Sequence, residues 1–239
     1  TQLLFFYCVV EPVLFGNLHM AREYYVLFFV LCISSVFIAA AGYVINDYFD
    51  LNIDLVNKPA KMVVDRSISR RWAIFFHMFF SFAGVLMGFY IGLQNGNWII
   101  GFANMGCVFV LWFYSTTFKK KLLTGNILIS LLTAWVVFVV YLLTMHQQID
   151  LLHPVQPGSP QKLLRLALLY SSFAFIITLI REVVKDIEDM EGDAKYGCKT
   201  MPIVWGVSFS KVFAGIWLAI LLVLLLVVMI YVLQFKMWL

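Results

Sequence analysis

The chain has 239 residues, 63% hydrophobic, 17% aromatic and only 13% charged, with a formal net charge of +4. Soluble domains hold about 45–50% apolar and about 25% charged residues, so this composition excludes a water-soluble globular protein and defines an integral membrane protein. The small positive excess does not argue for a nucleic-acid partner, and none is expected; in a membrane chain the useful quantity is where the basic residues fall.

Residues 1–18 form a first apolar segment, interrupted by Glu11 and lacking the basic n-region and cleavage site of a signal peptide, so it reads as the remnant of a first helix. The chain starts at Thr1, already apolar, and ends within or just past another apolar run, so it is expected to be trimmed at both ends. Asn17, His19, Arg22 and Glu23 make a polar break before a second span at 24–45. Further spans follow at 72–93, 98–117, 122–145, 163–184 and 212–234. Runs of about 18 or more apolar residues suit transmembrane helices, and the short alternating segments of a barrel are missing. The expected fold is therefore all-α, a polytopic transmembrane bundle forming a single membrane-embedded domain over 1–239 with seven visible spans.

The connections are polar and short, except for a Pro/Gly/Gln-rich loop from His146 to Gln161. Gln94-Asn95-Gly96-Asn97 predicts a tight reversal, and Pro59 and Pro202 are placed to stop the helices before them. Basic residues are lopsided: Lys58, Lys61, Arg66, Arg70, Arg71, Lys119, Lys120, Lys121, Lys185, Lys195, Lys199 and Lys211 follow spans two, four and six. The other side holds Arg22, Lys162, Arg165 and Lys236. The positive-inside rule puts the first group at the cytoplasmic face. Cys8, Cys32, Cys107 and Cys198 show no metal-ligand spacing and read as packing residues.

Two acidic stretches stand out against this apolar background. The first runs Asn46-Asp47-Tyr48-Phe49-Asp50-Leu51-Asn52-Ile53-Asp54, and the second Asp186-Ile187-Glu188-Asp189-Met190-Glu191-Gly192-Asp193. Both read Asp-x2-Asp-x3-Asp, and each aspartate of the second lies 139 residues after its counterpart (47 to 186, 50 to 189, 54 to 193). Each follows an apolar span and precedes a Lys/Pro stop, which predicts two related halves. If the stretches continue their helices, Asn46, Asp50 and Asp54 share one face with Asp47 beside them. Asp186, Asp189 and Asp193 then form a second stripe that Glu182 extends.

Stacked carboxylates next to hydrocarbon repel one another and call for a cation between them. Hard oxygen donors without accompanying His or Cys point to Mg2+ bridging to phosphate oxygens, with nearby Lys and Arg on the same oxygens. Neither stretch has the glycine and ligand spacing of a calcium loop. A CDP-alcohol phosphotransferase also pairs acidic helices, but its motif requires an Asp-Gly step that this chain does not contain. A cation transporter or channel is the alternative of another class, and a non-catalytic lipid-binding scaffold a third.

At these residues the chain resembles the UbiA-type intramembrane prenyltransferases, whose first motif, Asn-Asp-x-x-Asp-x-x-x-Asp, is complete from Asn46 to Asp54. Asp186 to Asp193 matches the second Asp-rich motif, and Tyr114-Ser115-Thr116-Thr117-Phe118-Lys119 is similar to the family's Tyr-x4-Lys element. The loop after the first motif departs from the family's Asn-Lys-Pro-x-Arg-Pro-Leu: Lys61 replaces the arginine and Met62 the second proline, which keeps the charge but loses the planar fork. Family members usually have nine transmembrane helices.

The resemblance implies Mg2+-dependent transfer of an isoprenoid chain from an allylic diphosphate to a lipophilic acceptor. It implies catalytic roles for Asp50, Asp54, Asp186 and Asp193, with Asn46, Asp47 and Asp189 completing the metal set. Tyr114, Lys119, Lys58 and Lys61 would bind diphosphate. The run from Arg181 to Asp193 is most similar to the branch that alkylates geranylgeranylglyceryl phosphate on its free hydroxyl, making an ether lipid. In that reading Arg181 and Lys185 meet the acceptor, or else pair with neighbouring carboxylates. Quinone-forming members with aromatic acceptors are the alternative. Tyr43, Phe49, Phe109, Phe113 and Tyr170 are candidates to face an allylic cation. Chain length depends on how far a cavity extends between helices, which the sequence does not show.

Overall fold

A computed structural model describes residues 1–15, 22–145 and 159–234, and every regular element in them is helical. The segments 16–21, 146–158 and 235–239 lie outside the described residues, and with them Asn17 and His19 of the expected polar break and most of the Pro/Gly/Gln-rich loop. In chain order the helices are α1 (Gln2–Phe5), a π turn (Phe6–Val10), α2 (Glu11–Phe15), α3 (Arg22–Asn57), α4 (Arg70–Asn95), α5 (Ile99–Thr116), α6 (Thr124–Met145), α7 (Ser159–Glu188), α8 (Met190–Lys195), α9 (Met201–Val204) and α10 (Val207–Gln234). Among the described residues, six helices are long and apolar enough to cross a membrane: α3, α4, α5, α6, α7 and α10. The first predicted segment instead gives a shorter apolar helix, Gln2–Leu14.

The sheer length of α3 organises the bundle. Its 36 residues extend about 54 Å, against a hydrocarbon thickness of about 30 Å. Asn46 to Asp54 ride on its last turns without interrupting it, so the first acidic stretch does continue its helix. Asn57 ends α3 and Pro59 opens a 3-10 turn, as a residue lacking an N–H should. Pro202 behaves differently from expectation: it sits in the first turn of α9 and starts a helix there, because the first-turn N–H has no intrahelical partner to lose. The Gln94–Asn97 reversal holds, with Gly96 at φ 69° after α4 and the Asn97 side chain accepting from the Ile99 N–H at 3.2 Å.

Lipid is as apolar as leucine, so close packing and buried polar contacts decide how these helices associate. α3 lies along α4, α6 along α7, α5 against both α3 and α4, and α10 against α7. At the α3/α4/α5 crossing, the Ser34 hydroxyl donates to the Gly84 carbonyl at 2.7 Å and accepts from Asn104 Nδ2 at 2.8 Å. Gly84 is needed there: a Cβ would stand 2.7 Å from Ile38 Cγ1. The main apolar core lies toward the opposite end from the acidic stretches, where Phe6 stacks on Phe28 at 3.8 Å among Leu31, Val137, Val140, Leu163 and Ala167.

Candidate active site

A cavity of about 860 Å³ lies between α3, α5, α6 and α7. Asn46, Asp47, Asp50 and Asp54 of α3 line it together with Asp186 of α7, Asp189 at the α7/α8 break and Asp193 of α8. Lys58, Tyr114, Lys119, Arg181 and Lys185 line it as well. The fold thus brings twelve of the thirteen expected site residues to one cavity; the thirteenth, Lys61, closes the 3-10 turn, and its side chain lies outside the described residues. From this polar end the walls turn apolar, through Gly42, Ile38 and Leu111 to Trp135, Val136 and Tyr170.

The second acidic stretch is not one unbroken helix. α7 ends at Glu188 and α8 begins at Met190, with Asp189 at φ −91°, ψ 4° between them. Helical hydrogen bonds nevertheless bridge the break, Asp189 N–H to the Lys185 carbonyl at 2.9 Å and Asp193 N–H to the Asp189 carbonyl at 3.1 Å, so the stripe from Glu182 to Asp193 keeps its face. Asn57, at the end of α3, holds this break directly. Its Nδ2 donates to the Asp189 carbonyl at 2.9 Å, and its Oδ1 accepts from the Gly192 N–H at 2.8 Å. Gly192 has no Cβ to spare, since one would lie 2.6 Å from the Asn57 amide.

The carboxylates are held by cations and amides of the chain. Lys119 pairs with Asp50, whose other oxygen accepts from Asn46 Nδ2 at 2.7 Å. Lys58 reaches Asp189 at 2.6 Å, and Asn126 Nδ2 donates to Asp186 at 2.9 Å. Arg181 pairs with the buried Glu182 at 2.6 Å, so of its two expected roles the structure displays the pairing. Burial, followed by the charge of Asp189, raises Asp193 to about 6. Burial, followed by Lys120, pulls the Lys119 ammonium down, and contact with Asp50 opposes that pull.

Asn57 and Asn126 were not singled out by the sequence reading. Asn57 does open the Asn-Lys-Pro element of the loop after the first motif, and its phase, three residues past Asp54 on a continuing helix, also pointed toward the site, but neither gave it a partner. Gly125 is a third addition: a Cβ there would sit 2.8 Å from Lys119 Cα and 3.2 Å from the Tyr114 ring, so a glycine lets α6 start against the turn that carries Lys119. Of the five candidate aromatics, Tyr43 and Tyr170 line the cavity. Phe49, Phe109 and Phe113 do not; they are exposed on the outer surface of α3 and α5, with Phe49 packed edge-on against Trp112 at 5.8 Å. Trp135 and Phe173 line the cavity in their place.

The donor set suits a hard divalent cation, being all oxygen. Asn46 Oδ1 is buried without a hydrogen-bond partner in the cavity wall, which is the state of an acceptor reserved for a ligand. Among the described residues, no three His, Cys, Asp or Glu side chains gather closely enough to hold an ion by themselves. An ion here therefore needs oxygens from its substrate as well, as magnesium does when it is bound through one or two carboxylates and a phosphate.

Fold and site together define a helical membrane protein whose carboxylate-lined cavity opens into an apolar channel. Residues 8–239 match the UbiA prenyltransferase family, and the chain belongs to that family. It is 36% identical over 174 residues to the digeranylgeranylglyceryl phosphate synthase of Methanothermobacter thermautotrophicus, covering 73% of this chain and 54% of that protein. With the enzyme of the same name from Methanosphaera stadtmanae it shares 31% over 182 residues, covering 76% and 59%. It is also similar to a solved structure described as concerning digeranylgeranylglyceryl phosphate synthase in membranes, with a TM-score of 0.57 and 25% identity over 87% of this chain and 65% of the other. The matched regions span rather more than half the length of these curated relatives.

Proposed function

We propose that this protein transfers a geranylgeranyl chain from its diphosphate to the free hydroxyl of geranylgeranylglyceryl phosphate, forming an ether lipid at the cytoplasmic face. The observation that carries the reading is the shared cavity: two acidic sets and three lysines at one end, apolar walls at the other. The names of the relatives given above support the acceptor, and the concentration of Lys and Arg beside both acidic sets supports the cytoplasmic face.

In this reaction the bond between C1 of the allylic chain and the diphosphate oxygen breaks, and the electron pair leaves with the diphosphate. Lys119 and Lys58 donate to the departing oxygens, and the Tyr114 hydroxyl is placed at the same end of the cavity. Tyr43, one helical turn from Asn46 and Asp47, offers its ring face to the allylic cation, and the apolar walls keep water from capturing it. The acceptor oxygen then forms the new C–O bond and its proton is released. Asn46, Asp47, Asp50, Asp54, Asp186, Asp189 and Asp193 would hold Mg2+, which supplies charge neutralisation for the diphosphate. Lys185, which lines the cavity, is the better placed of the two acceptor candidates, since Arg181 is already held by Glu182.

The test is an acceptor screen with the full-length protein in detergent, radiolabelled prenyl diphosphates and Mg2+. Ether-lipid formation with geranylgeranylglyceryl phosphate, lost in Asp50→Ala and Asp186→Ala, is the expected outcome. Transfer to an aromatic ring instead would move the protein to the quinone-forming branch. Cation flux in liposomes without any transfer would replace the enzyme reading with a transporter.

A further inference from the structure

The far end of the cavity is closed by a different part of the chain. On α3 the deepest lining residue is Ser35, on α6 Val136 and on α7 Tyr170; no residue further toward that end of these three helices lines the cavity. All three are met by α1. Gln2 Nε2 donates to Ser35 Oγ at 2.9 Å and to the Val136 carbonyl at 3.0 Å, and the Phe5 ring lies 5.5 Å from that of Tyr170. Gln2 and Phe5 are both buried, and Thr1 itself lines the cavity. Behind this crossbar the next residues of the same helices, Leu31, Val137 and Ala167, belong to the packed core. The cavity therefore ends on a built floor with solid packing beneath it.

The distance from the acidic end to that floor fits a definite number of isoprene units. Asp50 to Ser35 is fifteen residues of α3, about 22 Å at 1.5 Å per residue, and Tyr170 to Asp186 is sixteen residues of α7, about 24 Å. An extended isoprene unit advances about 5 Å, from four backbone bonds of roughly 1.5 Å each. Four units need about 20 Å and five about 25 Å. We infer that α1, through Gln2 and Phe5, is the ruler that limits the donor to a C20 chain, with Ser35, Val136 and Tyr170 as the residues that the terminal isoprene meets. This deepens the proposed prenyl transfer and rests on it for the identity of the ligand.

The inference can be tested apart from turnover, by measuring binding of C15, C20 and C25 prenyl thiodiphosphates, which resist cleavage, to the full-length protein with Mg2+. The wild-type protein is expected to bind the C20 analogue at least tenfold more tightly than the C25 one. Ala39 lines the cavity one helical turn above Ser35, so Ala39→Phe removes about one isoprene length and should weaken C20 at least tenfold while C15 keeps its affinity, which also reports an intact fold. Gln2→Ala loosens the crossbar and should narrow the gap between C25 and C20 at least threefold. Unchanged discrimination in either variant, or wild-type affinity that keeps rising through C25, overturns the ruler. Length-dependent binding without any transfer to acceptor leaves the ruler standing and removes the proposed reaction; transfer that is indifferent to donor length does the reverse.

Discussion

Asn57→Ala tests how the two acidic sets are held in register. The substitution removes the hydrogen bonds to the Asp189 carbonyl and from the Gly192 N–H, at 2.9 and 2.8 Å, and nothing else on the Asn57 side chain. Partly buried neutral hydrogen bonds contribute about 0.5–1.5 kcal/mol each, so the pair is worth about 1–3 kcal/mol. Both bonds span from the end of α3 to the α7/α8 break, so the energy is spent on the position of Asp189 and Asp193 relative to Asp54 and not on the apolar core. About 1.4 kcal/mol is tenfold in an equilibrium constant, and a rise of roughly tenfold in the Mg2+ concentration giving half-maximal turnover is expected, with the acceptor KM unchanged. Mg2+ titrations of diphosphate release at saturating donor, beside thermal unfolding of the same samples, separate the cases. A fall in Tm of several degrees with an unmoved Mg2+ midpoint would refute the reasoning, because the hydrogen bonds would then be serving stability alone.

Gly192→Ala should reproduce that signature from the opposite partner, since its Cβ would meet the Asn57 amide at 2.6 Å; a wild-type Mg2+ midpoint would show that the contact relaxes freely. Lys119→Met removes the cation that pairs with Asp50 and that the proposed reaction uses as a donor to diphosphate, and turnover measured as diphosphate release should fall by about 10²–10³-fold. Asn126→Leu strips the half-buried Asp186 of its amide donor and should cost about 1–2 kcal/mol in the stability of the detergent-solubilised protein, read as a lowered unfolding temperature. Binding of Mn2+ and diphosphate, followed by electron paramagnetic resonance, should weaken as pH falls through about 6. Asp193 is raised to about 6 by burial and Asp189, so above that pH it is a carboxylate open to the ion, and below it a proton occupies the same oxygens.

The acidic sets were legible because charge at helical spacing is conspicuous in an apolar background, and because α3 continues straight through its own motif. The break at Asp189 was not legible, since the same carboxylate spacing fits a continuous helix and the hydrogen bonds across the break keep the stripe in phase. Nor was the role of Asn57: its partners lie 132 and 135 residues away, and nothing local marks an asparagine at a helix end as a clamp for another helix.

The failure with the aromatics has a different cause. In water the buried face of a helix is the apolar one, and periodicity finds it; in a bilayer the lipid-facing side is just as apolar, so Phe49, Phe109 and Phe113 carry the same sequence signal as Trp135 and Phe173. What separates them is the rotation of each helix, and in this bundle polar contacts fix it. Asn126 reaching Asp186 turns α6 so that Ile129, Thr133 and Val136 follow it along the cavity wall at intervals of three and four residues. Ser34, bonded to Gly84 and Asn104, likewise fixes the α3 face from which Ile38, Gly42 and Asn46 line the cavity. The sparse polar residues of a membrane bundle therefore say more about its interior than its many apolar ones, and a reading that starts from Ser34, Asn104 and Asn126 would have oriented the cavity before any aromatic was assigned to it.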